Sequence, residues 1–554
     1  MQDAAQHSTP SPYAYPLLIK QLLHTPFVQA QQQEIVYRDQ VRMNYATLRE
    51  RIARLANGLH QLGVRYGTTV AVMDWDSHRY LESYFAVPMM GAVLQTVNVR
   101  LSHAEIAYTI NHAGAEVLFV HTDFLPVVEA IKDQLETVRT FVWIDEPGSD
   151  SCAHSIAFAT EYETMLAQSP TSFDFPDFDE NTRATTFYTT GTTGLPKGVY
   201  FSHRQLVLHT ITLMAALSSP ESGQRFHRAD VYMPLTPMFH VHAWGMPYIA
   251  TVLGVKQVYP GRYVPERLLQ LVRDEGVTFS HCVGTILHML LSADDAKQTD
   301  FSKWKVIIGG GALPHGLARA ALDRGIDVFT GYGMSETCPV LSLAQLPPHS
   351  GTLDPEEEVR LRCKAGYPVP LVDLRIVDDA MDEVAHDGKA FGEIVARAPW
   401  LTQGYLNNPQ ASTDLWAGGY LHTQDIANID PTGSVQITDR IKDVIKSGGE
   451  WVSSLEIESL ISRHTGVAEV AVIGIKDEKW GERPVALVVL KAGTVVTEDE
   501  IKQHVMEFAT TGRISKYAVP QKVRFVDALE KTSVGKTNKK WLREQFTSHQ
   551  ESAR

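Results

Sequence analysis

Apolar and polar residues along the first 330 positions follow a pattern that predicts helices and strands in turn. Apolar side chains that recur at helical spacing predict helices over 45–62, 77–90, 102–112 and 265–273. Short apolar runs bounded by turn residues predict strands over 69–73, 93–97, 117–120, 277–282, 306–308 and 327–330. This alternation indicates an α/β fold of several layers.

The pattern changes near residue 430, where a shorter set of elements begins. A strand is predicted over 433–437, and the charged string DRIKD follows at 439–443. The elements predicted beyond it are helices over 454–462 and 498–508 and strands over 467–474, 484–490 and 522–525. About 115 residues are enough for one small domain. We therefore predict a large N-terminal α/β domain over 1–438 and a small C-terminal α+β domain over 439–554.

Composition narrows the function classes. A chain of 554 residues exceeds a single ordinary core, which agrees with two domains. The net charge of −14 argues against a nucleic-acid partner. No signal peptide is expected, since the N-terminal MQDAAQHSTPSP is polar. The four cysteines form no C-x-x-C pair, which predicts reduced, buried thiols and a cytoplasmic location.

One uncharged segment requires a membrane check. Residues 231–255 contain no Asp, Glu, Lys or Arg, but Pro234, Pro237 and Pro247 interrupt them. A spanning helix would be longer and poorer in such residues, so no transmembrane segment is predicted. We expect a buried loop that leads into a core helix.

The string YTTGTTGLPKG at 188–198 is typical of a loop that binds phosphate. Its glycines allow a close approach of backbone N–H groups, its threonines add hydroxyl donors, and Lys197 adds a positive charge. Pro196 stands where a Walker A loop has glycine, so the string belongs to another class of nucleotide site.

The string FHVHAW at 239–244 carries two histidines and a tryptophan. A His-x-His pair could bind zinc, but no third ligand stands at a suitable spacing. From composition alone, the histidines are expected to be hydrogen-bonded in a pocket wall, and Trp244 to be core.

Further strings follow in a fixed order along nearly the whole chain. They are MFHVHAW (238–244), GGGA (309–312), YGMSET (332–337), TQD (423–425), DRIKD (439–443), SGGE (447–450) and KTSVGK (531–536). With YTTGTTGLPKG, this set resembles the acyl-adenylate-forming (AMP-binding) superfamily. Within it, MFHVxAW and DRIKDVIKSGGE are most similar to the bacterial medium- and long-chain fatty acid:CoA ligases.

The resemblance implies an ATP site. Its nucleotide-binding residues would be Thr189, Thr190, Gly191, Thr192, Thr193, Gly194, Lys197, Gly311, Tyr332, Gly333, Thr337, Asp425 and Arg440. Tyr332 would stack on adenine, and Asp425 and Arg440 would bind the ribose. Glu336 and Thr192 would hold Mg²⁺, which suits a carboxylate and substrate phosphates.

The resemblance also implies an acyl site and a mobile lid. Catalytic roles fall to Lys536, His240 and Glu336, with Lys536 bridging the acid and the α-phosphate. The acyl-binding residues would be Trp244 as a gate, Gly310, Ala312 and Val340, with Val283, Gly284 and Leu341 further along the channel. The small domain would pivot at 439–442, with Lys442 in the hinge, and offer CoA a face that includes Ser447, Gly448, Gly449 and Glu450.

The sequence departs from its relatives beside Lys536. Glu530 stands where relatives commonly have proline, and Thr537 and Asn538 stand where they have Ile-Asp. These differences concern the local geometry of the lid and leave the lysine in place.

The resemblance predicts a fatty acid:CoA ligase that acts through acyl-AMP on ATP, CoA and a fatty acid, with Mg²⁺ as cofactor. The alternatives are a CoA ligase for a short-chain, sulfur-bearing or aryl acid, an acyl-AMP ligase that loads a carrier protein, and a non-enzymatic nucleotide-binding relative. A homodimer and a peripheral contact with a membrane are left open.

Overall fold

The computed structural model describes residues 11–146, 154–189, 195–221, 223–347, 353–447, 450–477, 479–511, 514–532 and 535–551. The α-helices in these ranges are α1 (Pro26–Gln29), α2 (Tyr45–Gln61), α3 (His78–Met89), α4 (His103–Ala113), α5 (Leu125–Ile131), α6 (Tyr162–Gln168), α7 (His203–Ser218), α8 (Val241–Trp244), α9 (Met246–Leu253), α10 (Pro265–Glu275), α11 (Gly284–Ser292), α12 (His315–Leu322), α13 (Pro355–Arg362), α14 (Pro409–Leu415), α15 (Ser454–Ile461), α16 (Glu498–Thr510) and α17 (Lys539–Glu551).

The β-strands in the same ranges are β1 (Glu34–Tyr37), β2 (Val41–Asn44), β3 (Thr69–Met73), β4 (Val93–Thr96), β5 (Ala115–His121), β6 (Thr140–Ile144), β7 (Phe158–Glu161), β8 (Arg183–Thr189), β9 (Lys197–Ser202), β10 (Val231–Pro234), β11 (Lys256–Tyr259), β12 (Phe279–Cys282), β13 (Lys305–Ile308), β14 (Asp327–Gly333), β15 (Val340–Leu343), β16 (Tyr367–Pro368), β17 (Asp373–Val377), β18 (Gly392–Arg397), β19 (Leu421–Ile429), β20 (Val435–Arg440), β21 (Ile445–Ser447), β22 (Glu450–Val452), β23 (Val467–Asp477), β24 (Gly481–Leu490) and β25 (Lys522–Phe525).

Two large sheets form the N-terminal part. One has the strand order β7-β6-β5-β3-β4-β8-β9 and is parallel except for the β8–β9 pair. The other has the order β16-β15-β14-β13-β12-β10-β11-β1-β2, with a parallel centre and antiparallel edges. Parallel strands require helical crossovers, which explains why helices and strands alternate in the sequence.

The hydrophobic core divides these sheets and helices into layers. The largest cluster lies between the two sheets and includes apolar residues of α2, α3, α7 and α9. Smaller clusters pack α4 and α5 on the outer face of one sheet and α10, α11 and α12 on the outer face of the other. The predicted multi-layer α/β fold is confirmed.

A small sheet, β17-β18-β19-β20, connects this part to the C-terminal domain. β20 ends at Arg440, so it runs two residues past the domain boundary predicted at 438/439. The C-terminal domain has the strand order β22-β21-β24-β23, with β25 paired to β24. Its two core clusters draw only on residues between Ile445 and Phe546, so it has a core of its own.

Segment 231–255 is buried, as the sequence predicts, but it begins with the short strand β10 and reaches α9 through an irregular turn. No helix in the described ranges is long and apolar enough to cross a membrane. The cysteines in those ranges, Cys282, Cys338 and Cys363, are free.

Candidate active site

Four neighbouring parallel strands end at the same edge of the larger sheet. β10, β12, β13 and β14 lead there into residues 235–240, 283–284, 309–311 and the YGMSET string. Ligands gather at such carboxyl ends in open α/β sheets because the loops there are free to vary. The sequence strings that are far apart along the chain therefore meet in one place.

The last four residues of the FHVHAW string, the short element α8, form a left-handed turn rather than a right-handed helix. Val241, His242, Ala243 and Trp244 all have positive φ, between 46° and 59°, and Gly245 continues the turn at 72°. Left-handed backbone costs about 1–2 kcal/mol for each residue that carries a Cβ. The turn is buried, and its hydrogen bonds include Ala243 N–H to the His240 carbonyl at 3.0 Å. The surrounding core therefore holds the strained backbone in place, and this fixes the direction of the Trp244 side chain.

The indole ring of Trp244 packs against the backbone of Gly309. A Cβ added to Gly309 would lie 2.7 Å from Cη2 of Trp244 and 2.9 Å from the Gly331 carbonyl oxygen. The His281 ring centre is 5.0 Å from that of Trp244. Because a side chain at position 309 would displace the indole, the glycine of the GGGA string serves packing at this point.

Lys536 reaches into the same pocket from the C-terminal domain. A Cβ on Gly310 would lie 3.1 Å from Cε of Lys536. Thr285 Oγ1 donates a hydrogen bond of 3.0 Å to the Gly535 carbonyl, which ties the lysine loop to the N-terminal domain. Lys536, His240 and Trp244 line one narrow pocket together.

Burial sets the protonation of these groups. Desolvation lowers the pKa of Lys536 to about 8, with Arg440 adding to the effect and Asp425 and Glu336 opposing it. Desolvation also lowers the pKa of His240 to about 3, and the charge of Lys536 contributes. At neutral pH the pocket therefore has a cationic lysine beside a neutral imidazole.

Tyr332, Asp425 and Arg440 form a second cluster. The Tyr332 hydroxyl donates to Asp425 Oδ2 at 2.8 Å, and Arg440 Nε lies 3.2 Å from Asp425 Oδ1. Burial raises the pKa of Asp425, and the arginine charge opposes that shift. The arrangement offers a carboxylate acceptor beside a buried ring, which suits a ribose and a flat base.

Glu336 belongs to a chain of contacts that crosses the site. Tyr405 Oη donates to Glu336 Oε1 at 2.7 Å, and Lys197 Nζ lies 4.6 Å from the Tyr405 ring centre. Within the described ranges, no group of three or more His, Cys, Asp or Glu side chains could hold a metal ion. One nearly buried carboxylate still fits Mg²⁺, which commonly takes one or two protein carboxylates plus substrate phosphates.

Glycine is required in the YGMSET string by its own backbone. A Cβ on Gly333 would lie 1.7 Å from the Pro339 carbonyl oxygen, so only glycine fits. Thr337 is buried, and its hydroxyl bonds to the Met334 backbone. Gly311 has open space around it, in keeping with a position that faces a ligand.

Several predicted residues stand apart from the pocket. Ala312 is exposed, and Val340 is buried in the main core. Lys442 is exposed, whereas Ser447 is fully buried in this conformation. Thr189 and Lys197 pair at the ends of β8 and β9, so the phosphate string joins two antiparallel strands. Outside the described residues lie Thr190, Gly191, Thr192, Thr193, Gly194, Gly448 and Gly449 and the side chain of Glu450.

The histidine interpretation needs one correction. His242 was expected to be hydrogen-bonded, yet both its ring nitrogens are buried without a partner among the described residues. Burial lowers its pKa to about 3, so the ring is neutral.

Sequence reasoning missed several residues of the site. Arg100, Thr236, Tyr263 and Ile286 line the pocket, and Tyr405 contacts Glu336. They belong to none of the quoted strings, and only the fold brings them in. Asp76, for example, holds two distant segments together beside the pocket, because it accepts hydrogen bonds from Tyr263 Oη at 2.5 Å and from Met238 N–H at 2.7 Å.

Comparison with known proteins shows which family the chain resembles. The model of the AMP-binding enzyme family matches residues 26–406, and that of the AMP-binding enzyme C-terminal domain matches 456–536. The chain is 41% identical over 513 residues to the "Long-chain-fatty-acid--CoA ligase" of Thermus thermophilus, covering 92% of this chain and 91% of that protein. It is 37% identical over 539 residues to the "3-methylmercaptopropionyl-CoA ligase" of Ruegeria lacuscaerulensis, covering 96% and 97%.

A solved structure agrees over nearly the whole length. The anthranilate CoA ligase AuaEII in complex with anthranoyl-AMP superimposes with a TM-score of 0.83 at 25% identity, covering 96% of this chain and 98% of that one. The large N-terminal and small C-terminal domains are thus shared with adenylate-forming CoA ligases. The chain belongs to the AMP-binding enzyme family and is an AMP-forming acid–thiol ligase that uses ATP and CoA.

Proposed function

We propose that this enzyme is a fatty acid:CoA ligase for medium- or long-chain acids. The observation that carries the proposal is the pocket beside Lys536, whose lining includes the apolar side chains of Leu235, Pro237, Trp244, Val283 and Ile286. A polar end with apolar walls suits an acid whose carboxylate reacts and whose tail is hydrocarbon. The Thermus thermophilus relative, named for long-chain acids, supports the same class.

The hydrocarbon tail of a fatty acid requires a larger cavity than the pocket beside Lys536 has in this conformation. The cavity has a volume of about 20 Å³, space for about one water molecule. Trp244 lines this cavity and packs on Gly309, and we propose that an acyl chain enters when the indole leaves that place. We assign Trp244 the role of gate and Gly310 that of pocket wall, while Ala312 and Val340 stay predictions.

The proposed first step joins the acid to AMP. A carboxylate oxygen attacks the α-phosphorus of ATP, a C(O)O–P bond forms, and the bond to the β-phosphate breaks to release pyrophosphate. The Lys536 ammonium stabilises the negative charge at the α-phosphate, and neutral His240 borders the carboxylate. Tyr332, Asp425 and Arg440 hold the nucleoside. Glu336 would hold Mg²⁺, which would screen the charge of the phosphates.

The proposed second step requires the C-terminal domain to turn. With 439–442 as the hinge, rotation of residues 439–554 would withdraw Lys536 and bring the SGGE face to CoA. The CoA thiolate then attacks the acyl carbonyl, a C–S bond forms, and AMP leaves. Cytoplasmic location, homodimer formation and peripheral membrane contact stay predictions.

One alternative has a specific observation in its favour. The Ruegeria lacuscaerulensis relative is named for a short sulfur-bearing acid, and the closed cavity is small. A CoA ligase for short acids is therefore the second candidate.

The test is acid-dependent pyrophosphate release across saturated acids from four to eighteen carbons, 3-methylmercaptopropionate and benzoate, with and without CoA. We expect the highest kcat/KM for an acid of eight carbons or more, with thioester formed only when CoA is present. A maximum at 3-methylmercaptopropionate, butyrate or benzoate would contradict the fatty-acid proposal. Acyl-AMP that accumulates without reacting with CoA would favour a ligase that loads a carrier protein.

A further inference from the structure

The C-terminal domain meets the N-terminal domain at a contact between two helix ends. Gly316 lies in the first turn of α12, and Ser462 caps the end of α15. Gly316 N–H points to Ser462 Oγ at 3.4 Å. A Cβ added to Gly316 would lie 2.3 Å from the Ser462 carbonyl oxygen.

Electrostatics favours this contact and sterics restricts it to glycine. The first N–H groups of a helix and the last carbonyl groups of another lack partners within their own helices and carry opposite partial charges. Two such ends attract each other when they meet. They can approach this closely only because position 316 has no side chain, and the opposing atom is a backbone oxygen that cannot rotate away.

Helix α15 contacts the segment that follows Lys536. Lys539 Nζ lies 2.7 Å from Glu458 Oε1 and 2.6 Å from Ser454 Oγ, and both partners belong to α15. Lys539 is three residues beyond Lys536. A displacement of α15 at Ser462 is therefore carried to the loop that presents Lys536.

From these contacts we infer that Gly316 is a positioning residue for the adenylation step, through which the lid docks so that Lys536 enters the pocket. The inference rests on the proposed role of Lys536 in adenylation. Gly316 is not among the residues that line the Lys536 pocket, so its effect would be transmitted through α15. Once the lid turns away, Ser462 leaves Gly316, and the residue has no part in the reaction of acyl-AMP with CoA.

The size of the effect follows from the geometry. Ordinary contact of a Cβ begins near 3.4 Å, so a methyl group at position 316 displaces the Ser462 carbonyl by about 1 Å. A misplacement of about 1 Å at a reacting group costs on the order of 10²-fold in rate. Gly316→Ala should therefore lower acid-dependent pyrophosphate release by about 10- to 100-fold, and Gly316→Val by more.

The experiment measures the two half-reactions separately, with the best acid of the panel above and its synthetic acyl-AMP. Gly316→Ala should convert acyl-AMP and CoA to thioester at a rate within about threefold of wild type. Ala320→Val, which adds a larger group on an exposed position of α12, is the matched control and should leave both rates unchanged. Ser462→Leu, which adds bulk from the lid side, should reproduce the selective loss if Gly316→Ala does not fold.

If Gly316 mattered only for the stability of its own helix, Gly316→Ala would raise the melting temperature, because alanine favours helices more than glycine does. Unchanged half-reactions, or an equal loss of both in folded protein, would overturn the inference. Lys536→Ala is run in parallel: if it retains adenylation, the proposed role of Lys536 is wrong. If it loses adenylation while Gly316→Ala and Ser462→Leu do not, only the docking inference is wrong.

Discussion

At the scale of single residues, one pocket sets the charges of two neighbouring bases. Lys536 and His240 share the pocket, and burial lowers the pKa of both, to about 8 and about 3. The lysine still carries its proton at pH 7, whereas the imidazole does not. In the proposed adenylation step, the pair would provide one positive charge at the α-phosphate and a neutral group beside the carboxylate of the acid.

This difference predicts a pH dependence. In its proposed role Lys536 acts in its protonated form, so kcat/KM for acid-dependent pyrophosphate release should fall about tenfold per pH unit above about pH 8. Lys536→Arg keeps its charge over the whole range, because the guanidinium pKa exceeds 12. The variant should therefore lose this alkaline limb, whatever its absolute rate. An identical limb in both proteins would assign the titration to another group.

At the scale of elements, the left-handed turn is the feature that most constrains the position of Trp244, the proposed gate. Its residues at 241–244 adopt a backbone that favours glycine, and only Gly245 adopts it without cost. A Cβ on Gly245 would lie 2.9 Å from His209 Nδ1. The turn is thus held between α7 and α9 with no spare room.

Two glycine substitutions should separate backbone strain from packing. Gly245 and Gly276 both have φ near 70°, but a Cβ on Gly276 meets nothing within 4 Å. Gly276→Ala should cost about 1–2 kcal/mol of unfolding free energy from the backbone alone. Gly245→Ala should cost a further 1–3 kcal/mol or so from overpacking. Urea unfolding of both variants measures the difference between their losses of unfolding free energy. Equal losses would mean that the turn relaxes to accept the added methyl group.

At the scale of the whole molecule, the two domains build the pocket together. Lys536 comes from the C-terminal domain and His240 from the N-terminal domain, with Thr285 bonded to Gly535 between them. Two ion pairs of α17, Lys539 with Glu458 and Arg543 with Asp443, connect the segment after Lys536 to α15 and to the residue that follows the proposed hinge. Movement of the lid as one body would remove the lysine from the site as a unit.

Lys536→Ala tests this arrangement. The variant should lose acid-dependent pyrophosphate release by about 10²- to 10³-fold, the usual effect of one electrostatic donor. It should convert supplied acyl-AMP and CoA to thioester at close to the wild-type rate, because the lysine has left the site by then. Equal impairment of both half-reactions, in protein with a normal circular dichroism spectrum, would speak against rotation of the lid.

Local patterns in the chain predicted the fold class and many of the helices and strands. Period-3.6 spacing predicted α2 to within one residue because α2 buries one face, and the strands predicted over 69–73 and 522–525 match β3 and β25 at their observed bounds. The ordered strings predicted the family, which the comparisons confirm. The roles of Tyr332, Asp425, Glu336 and Lys536 stay predictions, although the fold gathers these residues around one site.

The geometry of the site depends on tertiary packing, which the local sequence patterns do not show. The left-handed turn at 241–245 violates local preference, so no propensity could predict it, and the surrounding core holds it in place. Arg100, Tyr263 and Tyr405 reach the site because distant segments pack together, which leaves no signal in the local sequence. The contact of Gly316 with Ser462 joins two residues 146 positions apart. Such contacts depend on how two domains dock, and periodicity within either domain does not encode that.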